Sequence, residues 1–153
     1  MDQQSSQAAQ GADVPALHAA PRPPVDLHLH VAADPGRVAE IRRGIRTAAA
    51  GHGIVEPLLG DVCLAVTEAC ANVVRHAYRD APGAGPMIVE AYREQRDFVV
   101  TVSDAGSGIA PRADSGGLGL GLALIARTTR RMEITSNEPA GSTVLMAFAV
   151  GGA

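Results

Sequence analysis

Residues 65–78 read AVTEACANVVRHAY and carry the clearest structural pattern in the chain. Glu68, Asn72 and His76 follow one another every fourth residue, and this spacing places their side chains on one face of an α-helix. Apolar residues occupy another face of the same helix and can pack on a sheet: Val62, Ala65, Val66, Ala69 and Val73. The pattern therefore predicts a helix with one core face and one polar stripe.

The polar stripe combines a carboxylate and a carboxamide that lie one helical turn apart. Glu68 is suited to take a proton as a general base, and the side-chain oxygen of Asn72 is suited to bind a hydrated Mg²⁺. The alternative is an ordinary solvated helix face, which requires neither role. The segments before and after the helix are needed to choose between these interpretations.

Two elements are predicted upstream of this helix. Residues 25–31, VDLHLHV, alternate apolar and polar side chains, which indicates a half-buried strand. Asp34 and Pro35 supply an N-cap carboxylate and a proline at the first helical position, so a first helix begins there and ends near Gly51. The helix with the polar stripe follows and extends to Tyr78, where a run of turn-forming residues ends it.

Downstream of Tyr78, tight turns separate short apolar segments, and one further helix is predicted. The predicted elements are strands at 87–93 and 98–103, a glycine-rich segment at 104–121, a helix at 122–129, and strands at 132–136 and 142–150. Strands that follow each other through tight turns usually pair antiparallel. The order predicts an α+β two-layer sandwich, in which a helical layer covers a mostly antiparallel mixed sheet.

The glycine-rich segment begins with a carboxylate at the end of an apolar strand. Asp104 is followed by Gly106 and Gly108, and glycine lets the backbone approach a ligand closely. A carboxylate held there can accept a hydrogen bond from an exocyclic amine such as that of adenine. The alternative is a simple turn, for which these residues are equally suitable.

The same segment ends with alternating glycine and leucine, GGLGLGL at residues 116–122. The glycines permit close backbone approach on one side while the leucines pack beneath, and the first-turn amides of the following helix are free to bind phosphate. A Rossmann motif is a poorer interpretation, because a polar loop and not a strand precedes these glycines. The pattern therefore favours a phosphate site.

Composition and charge exclude several function classes. The formal net charge is −3, and all 13 basic residues are arginine. A Walker-type P-loop and a eukaryotic-type protein kinase both need a lysine, so both are excluded. No long basic block is present, so we expect no direct contact with nucleic acid.

The remaining features concern compartment and domain limits. Cys63 and Cys70 are predicted to be buried small hydrophobes and not a disulfide or metal pair. No apolar run approaches the roughly 20 residues of a membrane span, so we expect a cytoplasmic protein that does not contact a membrane. Residues 1–24, rich in Gln, Ala, Ser and Pro, are predicted to be a disordered tail, and residues 25–153 the folded domain.

Three motifs, in this order and at this spacing, resemble those of the histidine-kinase-like (GHKL) ATPases, and among these the bacterial anti-sigma-factor serine/threonine kinases. The resemblance covers residues 25–150 approximately and implies the GHKL (Bergerat) ATP-binding fold. The matching segments are Glu68 to Tyr78 for the N box, Asp104-x-Gly106-x-Gly108 for the first glycine box, residues 117–122 for the second, and Gly141-Ser142-Thr143 for a Gly-x-Thr near the adenine.

The resemblance implies a site for ATP and Mg²⁺. Asn72 would bind Mg²⁺, Asp104 would receive the adenine amine, and Glu68 would be the general base toward a serine hydroxyl. The other members of the site would line the base and the phosphates: Gly106, Gly108, Gly117, Leu118, Gly119, Leu120, Gly121 and Thr143.

The resemblance also implies partners and leaves two alternative functions open. It implies a STAS-domain anti-anti-sigma protein as the phosphorylated substrate, a sigma factor under its control, and a homodimer. Residues 110–116 form a shorter lid than many relatives carry, which puts turnover in question more than binding. The alternatives are a nucleotide-gated binding module that phosphorylates nothing and a GHKL ATPase that directs water.

Overall fold

The computed structural model describes residues 23–107 and 118–151. The predicted tail up to residue 22, the lid, Gly108 and Gly117 lie outside the described residues. The described elements are β1 (Val25–Ala32), a 3₁₀ turn (Pro35–Arg37), α1 (Val38–Gly51), α2 (Leu58–Asn72), a π-helical turn (Val73–Ala77), β2 (Pro86–Glu94), β3 (Asp97–Asp104), α3 (Leu118–Thr128), β4 (Arg131–Ser136) and β5 (Ser142–Ala149).

The strands form one five-stranded sheet in the order β1-β2-β3-β5-β4. Each of the four strand pairings within the described residues is antiparallel. The predicted α+β sandwich is therefore confirmed, and its sheet contains no parallel pair in this part of the chain. Because β3 and β5 are antiparallel neighbours with Asp104 opposite Ser142, the end of β3 meets the start of β5.

The hydrophobic core lies between the helices and one face of the sheet. Alternate residues of β3 and β5 point toward the helices, and they include the two buried phenylalanines, Phe98 and Phe148. Val62 and Val66 of α2 are fully buried in the same cluster, as the predicted core face of that helix requires. Cys70 is buried there as well, in agreement with its prediction as a small hydrophobe.

The first helix begins where the sequence predicts. Asp34 Oδ1 accepts a hydrogen bond from Gly36 N at 2.8 Å, which caps the 3₁₀ turn that leads into α1. Ile41, Ile45 and Ala49 form a buried stripe with a spacing of four residues. Both signals are local, and this explains why the sequence locates the element well.

The structure differs from the predictions at two helix ends. The last turn of the α2 helix is π-helical from Val73 to Ala77, whereas the sequence predicts a continuous α-helix to Tyr78. Helix α3 begins at Leu118 and not at Leu122, so Gly119 and Gly121 are helical. Glycine disfavours helix locally, but packing of α3 on α2 outweighs this preference.

No helix in the described part of the chain is both long enough and apolar enough to cross a membrane.

Candidate functional site

Gly121 of α3 lies directly against the polar stripe of α2. A methyl group at Gly121 would stand 3.1 Å from Glu68 Oε2 and 3.5 Å from both Nδ2 and Oδ1 of Asn72. Residues 118–121 are the first four of α3, and the amides of a helix's first turn have no partner within the helix. The missing side chain therefore lets the first turn of α3 approach a carboxylate and a carboxamide closely.

The side chain of Asn72 is buried without a hydrogen-bond partner. Its exposed fraction is 4%, and neither Nδ2 nor Oδ1 has a partner among the described residues. A buried amide in this state costs about 1–3 kcal/mol, so such groups are rare unless a ligand satisfies them. An amide oxygen is also a ligand that Mg²⁺ accepts. The residues present therefore fit a metal-bound phosphate.

Asp104 is held on both sides by hydrogen bonds. Its exposed fraction is 6%. Oδ1 accepts from Gly106 N at 2.9 Å, and Oδ2 accepts from the Ser142 hydroxyl at 2.7 Å. Each carboxylate oxygen has a further lone pair, so the fixed carboxylate still has the capacity to accept from an amine.

The loop that follows Asp104 is attached to the end of α2. Ser107 N donates to Ala77 O at 2.8 Å, and Ala105 N donates to Tyr78 Oη at 2.9 Å. Gly106 lies so close to Ala77 that a Cβ atom would overlap the carbonyl oxygen. This contact explains the glycine at position 106. Loop 105–107 is thus fixed to the helix that carries Asn72.

The attachment also relates Asn72 to Asp104 in space. Ala77 follows Asn72 by five residues, which corresponds to about 7 Å along a helix axis. Asp104 points to the helix-facing side of the sheet, because Val102 and Val100 on the same face of β3 are core residues. The carboxamide and the carboxylate therefore lie on the helix-facing side of the molecule, near the same end of α2.

Thr143, predicted to lie near the adenine, is not brought to Asp104. It pairs with Ser103 across the sheet, and the two hydroxyl oxygens are 2.8 Å apart. Ser142 is the residue opposite Asp104, and neighbouring residues of a strand point to opposite faces. Sequence reasoning missed Ser142. The sequence could have indicated Ser142 only through the register of β3 with β5, which places it opposite Asp104.

The turn between β4 and β5 supports Asp104 from behind. Gly141 has a φ of +100°, and a Cβ atom there would overlap the carbonyl oxygen of Asp104. Asn137 Nδ2 donates to the same carbonyl at 3.3 Å, and Asn137 Oδ1 accepts from Thr143 Oγ1 at 3.1 Å. Thr143 therefore contributes to this support from the other face of the sheet.

Two other predicted residues have different surroundings from those expected. Leu120 is 81% exposed, so it does not pack beneath the glycines. His76 Nδ1 accepts a hydrogen bond from the Arg79 guanidinium at 2.9 Å. Burial lowers the pKa of His76, and the charges of Arg79 and Arg75 lower it further. His76 therefore belongs to a small basic cluster at the end of the π-helical turn, together with Arg75 and Arg79.

Comparison with known proteins identifies the family. No curated protein sequence matched the chain. The fold resembles that of the RsbU and RsbW domains of Rv1364c from Mycobacterium tuberculosis, with a TM-score of 0.63 and 20% identity over 83% of this chain and 33% of that one. It also resembles that of a chain in the SiaB-SiaC complex from Pseudomonas aeruginosa. The TM-score is 0.62, with 18% identity over 81% of this chain and 89% of that one.

A third solved structure has the same fold, the histidine kinase domain from the Erythrobacter litoralis EL346 blue-light activated histidine kinase. Its TM-score is 0.54, with 19% identity over 75% of this chain and 60% of that one. At these identities the likeness shows the fold alone, and the chain spans about a third of the Mycobacterium tuberculosis protein. Residues 31–148 match the sequence family described as "Histidine kinase-like ATPase domain". Because this match covers most of the sequence, the chain belongs to the histidine kinase-like ATPase domain family.

Proposed function

We propose that this chain is a serine/threonine kinase of the anti-sigma-factor type, which binds ATP with Mg²⁺ and phosphorylates a protein partner. The observation that carries the proposal is the buried, unpartnered carboxamide of Asn72 beside Glu68 and Gly121. A solvated helix face does not explain a buried amide without hydrogen bonds. A ligand that supplies both a metal and phosphate oxygens does explain it.

The nucleotide would extend from Asp104 to the start of α3. Asp104 accepts a hydrogen bond from the adenine amine, and Asn72 binds Mg²⁺, which draws electron density from the phosphate oxygens when it is bound. Ser142 takes the place near the adenine that the motif resemblance implies for Thr143, because its hydroxyl contacts Asp104. The backbone of loop residues and helix residues lines the base and the phosphates: Gly106, Gly108, Gly117, Leu118, Gly119, Leu120 and Gly121.

Glu68 is the residue that we assign as the general base. It lies one turn before Asn72 on α2, and no described residue forms a hydrogen bond or ion pair with its carboxylate. In the proposed reaction the partner's serine oxygen forms a bond to the γ-phosphorus, the bond to the β-phosphate oxygen breaks, and ADP leaves. The proton of the serine hydroxyl passes to Glu68, while the amides at the start of α3 stabilise charge on the transferred group.

The proposed partners follow from the motif resemblance. The substrate is a STAS-domain anti-anti-sigma protein, the regulated protein is a sigma factor, and the chain acts as a homodimer. One of the solved structures with this fold is a complex of two proteins, which supports a protein partner for such a domain. The net charge of −3 and the absence of a long basic block are consistent with a protein partner and not a nucleic acid.

The test is phosphate transfer from labelled ATP to a purified STAS protein of the same genome. We expect labelled serine with the wild-type protein, and a loss of at least about 100-fold in rate with Glu68→Gln, because a general base contributes that much or more. Glu133→Gln is the matched control, since Glu133 is an exposed glutamate on β4. Calorimetry should give similar ATP affinities for all three proteins.

The alternatives give different results in the same experiment. Transfer that survives Glu68→Gln contradicts the assignment of the base. ATP binding with partner capture but no labelled serine identifies a nucleotide-gated binding module. Release of inorganic phosphate without a labelled protein identifies an ATPase that directs water.

A further inference from the structure

The hydroxyl group of Tyr78 joins two segments that the sequence keeps apart. It donates a hydrogen bond to Pro86 O at the start of β2, at 2.6 Å, and accepts one from Ala105 N at 2.9 Å. The ring lies over Gly85, where any Cβ atom would overlap it. Tyr78 directly follows the π-helical turn and is partly buried. One side chain thus connects the end of the α2 helix, the first residue of β2 and the residue after Asp104.

Three consecutive amides of loop 105–107 each have one partner. Ala105 N donates to Tyr78 Oη, Gly106 N to Asp104 Oδ1, and Ser107 N to Ala77 O. Two of these three partners belong to Ala77, the last residue of the π-helical turn, and to Tyr78, the residue after it. The loop's position relative to α2 therefore depends on Ala77 and Tyr78.

The bond to Ala105 acts on the orientation of the Asp104 side chain. Ala105 N belongs to the peptide group that leaves Asp104, so fixing that peptide fixes the backbone on one side of the carboxylate. The Ser142 hydroxyl holds the carboxylate from β5. Without Tyr78 Oη, the peptide between Asp104 and Ala105 keeps only the contact to its carbonyl oxygen, so the Gly106 amide that bonds to the carboxylate is held less firmly.

We propose that Tyr78 is a positioning residue that fixes the Asp104 carboxylate relative to Asn72 and thereby sets the selectivity for a base with an exocyclic amine. Tyr78 acts through Ala105 and touches neither base nor phosphate. The proposal rests on the proposed function, since it concerns recognition of ATP at the same site. Burial raises the pKa of Tyr78, so its hydroxyl keeps the proton that it donates to Pro86 O.

The experiment compares ATP with purine riboside triphosphate, which has the same phosphates and lacks only the amine. Dissociation constants are measured by calorimetry for the wild-type protein, Tyr78→Phe and Tyr92→Phe. Tyr92 is the chain's other tyrosine. It lies on the face of β2 that points away from the helices, so its variant is the matched control. We expect the preference for ATP over the analogue to fall by about tenfold in Tyr78→Phe, the scale of one hydrogen bond, and to stay unchanged in Tyr92→Phe.

A merely structural role predicts a different pattern. Partial unfolding of Tyr78→Phe lowers both affinities by the same factor, so the ratio of the two dissociation constants stays at its wild-type value. An unchanged ratio therefore overturns the proposal. Unfolding curves in urea, recorded at the temperature of the binding experiment, give the folded fraction of each variant.

A second variant removes the donor and leaves the tyrosine intact. Ala105→Pro lacks the amide that bonds to Tyr78 Oη, so it should lower the same preference, and the double variant should be no worse than the single ones. Full additivity of the two changes overturns the proposal. If the wild-type protein binds neither nucleotide, the proposed function fails and this inference fails with it. If Tyr78→Phe keeps the wild-type preference for ATP, only this inference is contradicted.

Discussion

The hydroxyl of Ser142 donates a hydrogen bond of 2.7 Å to Oδ2 of Asp104, and both residues are buried. The two residues are direct partners in the antiparallel register of β3 and β5. Their contact joins the last residue of one strand to the first residue of the other. The carboxylate proposed to select the base is therefore held by the sheet itself.

The first prediction concerns this pair. Ser142→Ala leaves one oxygen of a buried carboxylate without its partner, so we expect the free energy of unfolding to fall by about 1–3 kcal/mol and ATP affinity to fall by about tenfold. Urea unfolding and calorimetry measure the two effects. Thr143→Val is the neighbouring control, because it removes a hydroxyl on the other face of the sheet. A larger loss of ATP affinity in Thr143→Val than in Ser142→Ala would contradict the assignment.

The second prediction is that Asn72→Leu affects stability and binding in opposite directions. Both polar atoms of Asn72 are buried without partners, so an apolar side chain of similar size removes a penalty. We expect the free energy of unfolding without nucleotide to stay equal or rise by up to about 2 kcal/mol, while the effect of Mg²⁺ on ATP affinity disappears. Urea unfolding of the free protein, with calorimetry at several Mg²⁺ concentrations, tests both. Strong destabilisation by Asn72→Leu would show that Asn72 has a partner in solution.

The third prediction concerns the glycines that contact the backbone near Asp104. A Cβ atom at Gly106 would overlap Ala77 O, and one at Gly141 would overlap Asp104 O at a residue with a φ of +100°. We expect each alanine variant to lose about 2 kcal/mol or more of unfolding free energy, since backbone atoms cannot move aside cheaply. Gly83→Ala is the control, because its Cβ atom meets nothing within 4 Å. Equal stability of all three variants would disprove the close approach.

The fourth prediction concerns acid stability and His76. Burial, followed by the charges of Arg79 and Arg75, holds the pKa of His76 below its ordinary value of 6.5 in the folded protein. The unfolded chain therefore binds the proton first, so the contribution of His76 to stability is fully present above pH 6.5 and is lost as the pH falls below this value toward the pKa of the folded state. We expect this loss of stability to be smaller in His76→Gln. In Arg79→Gln part of the loss should remain, because burial still lowers the pKa of His76. Urea midpoints between about pH 8 and pH 5 measure the difference, and identical pH profiles for wild type and His76→Gln would refute the cause.

The sequence predicts most of the fold because the signals for it are local. The spacing of Ile41 and Ile45 gives α1, and the alternation in residues 25–31 gives β1, since side-chain periodicity follows directly from backbone geometry. Glu68 and Asn72 are found in the same way, as neighbours on one helix face. Helix ends are predicted less well. Helix α3 begins four residues before the predicted start, and Gly121 in its first turn packs on α2.

Local sequence patterns are sufficient to predict the helix with its polar stripe, the antiparallel strands, and Asp104 at the end of a strand. Packing and strand register are needed to show that Ser142 and not Thr143 contacts Asp104, and that Tyr78 reaches Ala105. These contacts join residues 38 and 27 positions apart. They depend on strand register and on how the end of α2 packs, and a shift of one residue in register would turn Ser142 to the other face. Contacts between such distant segments produce no periodic pattern in the sequence.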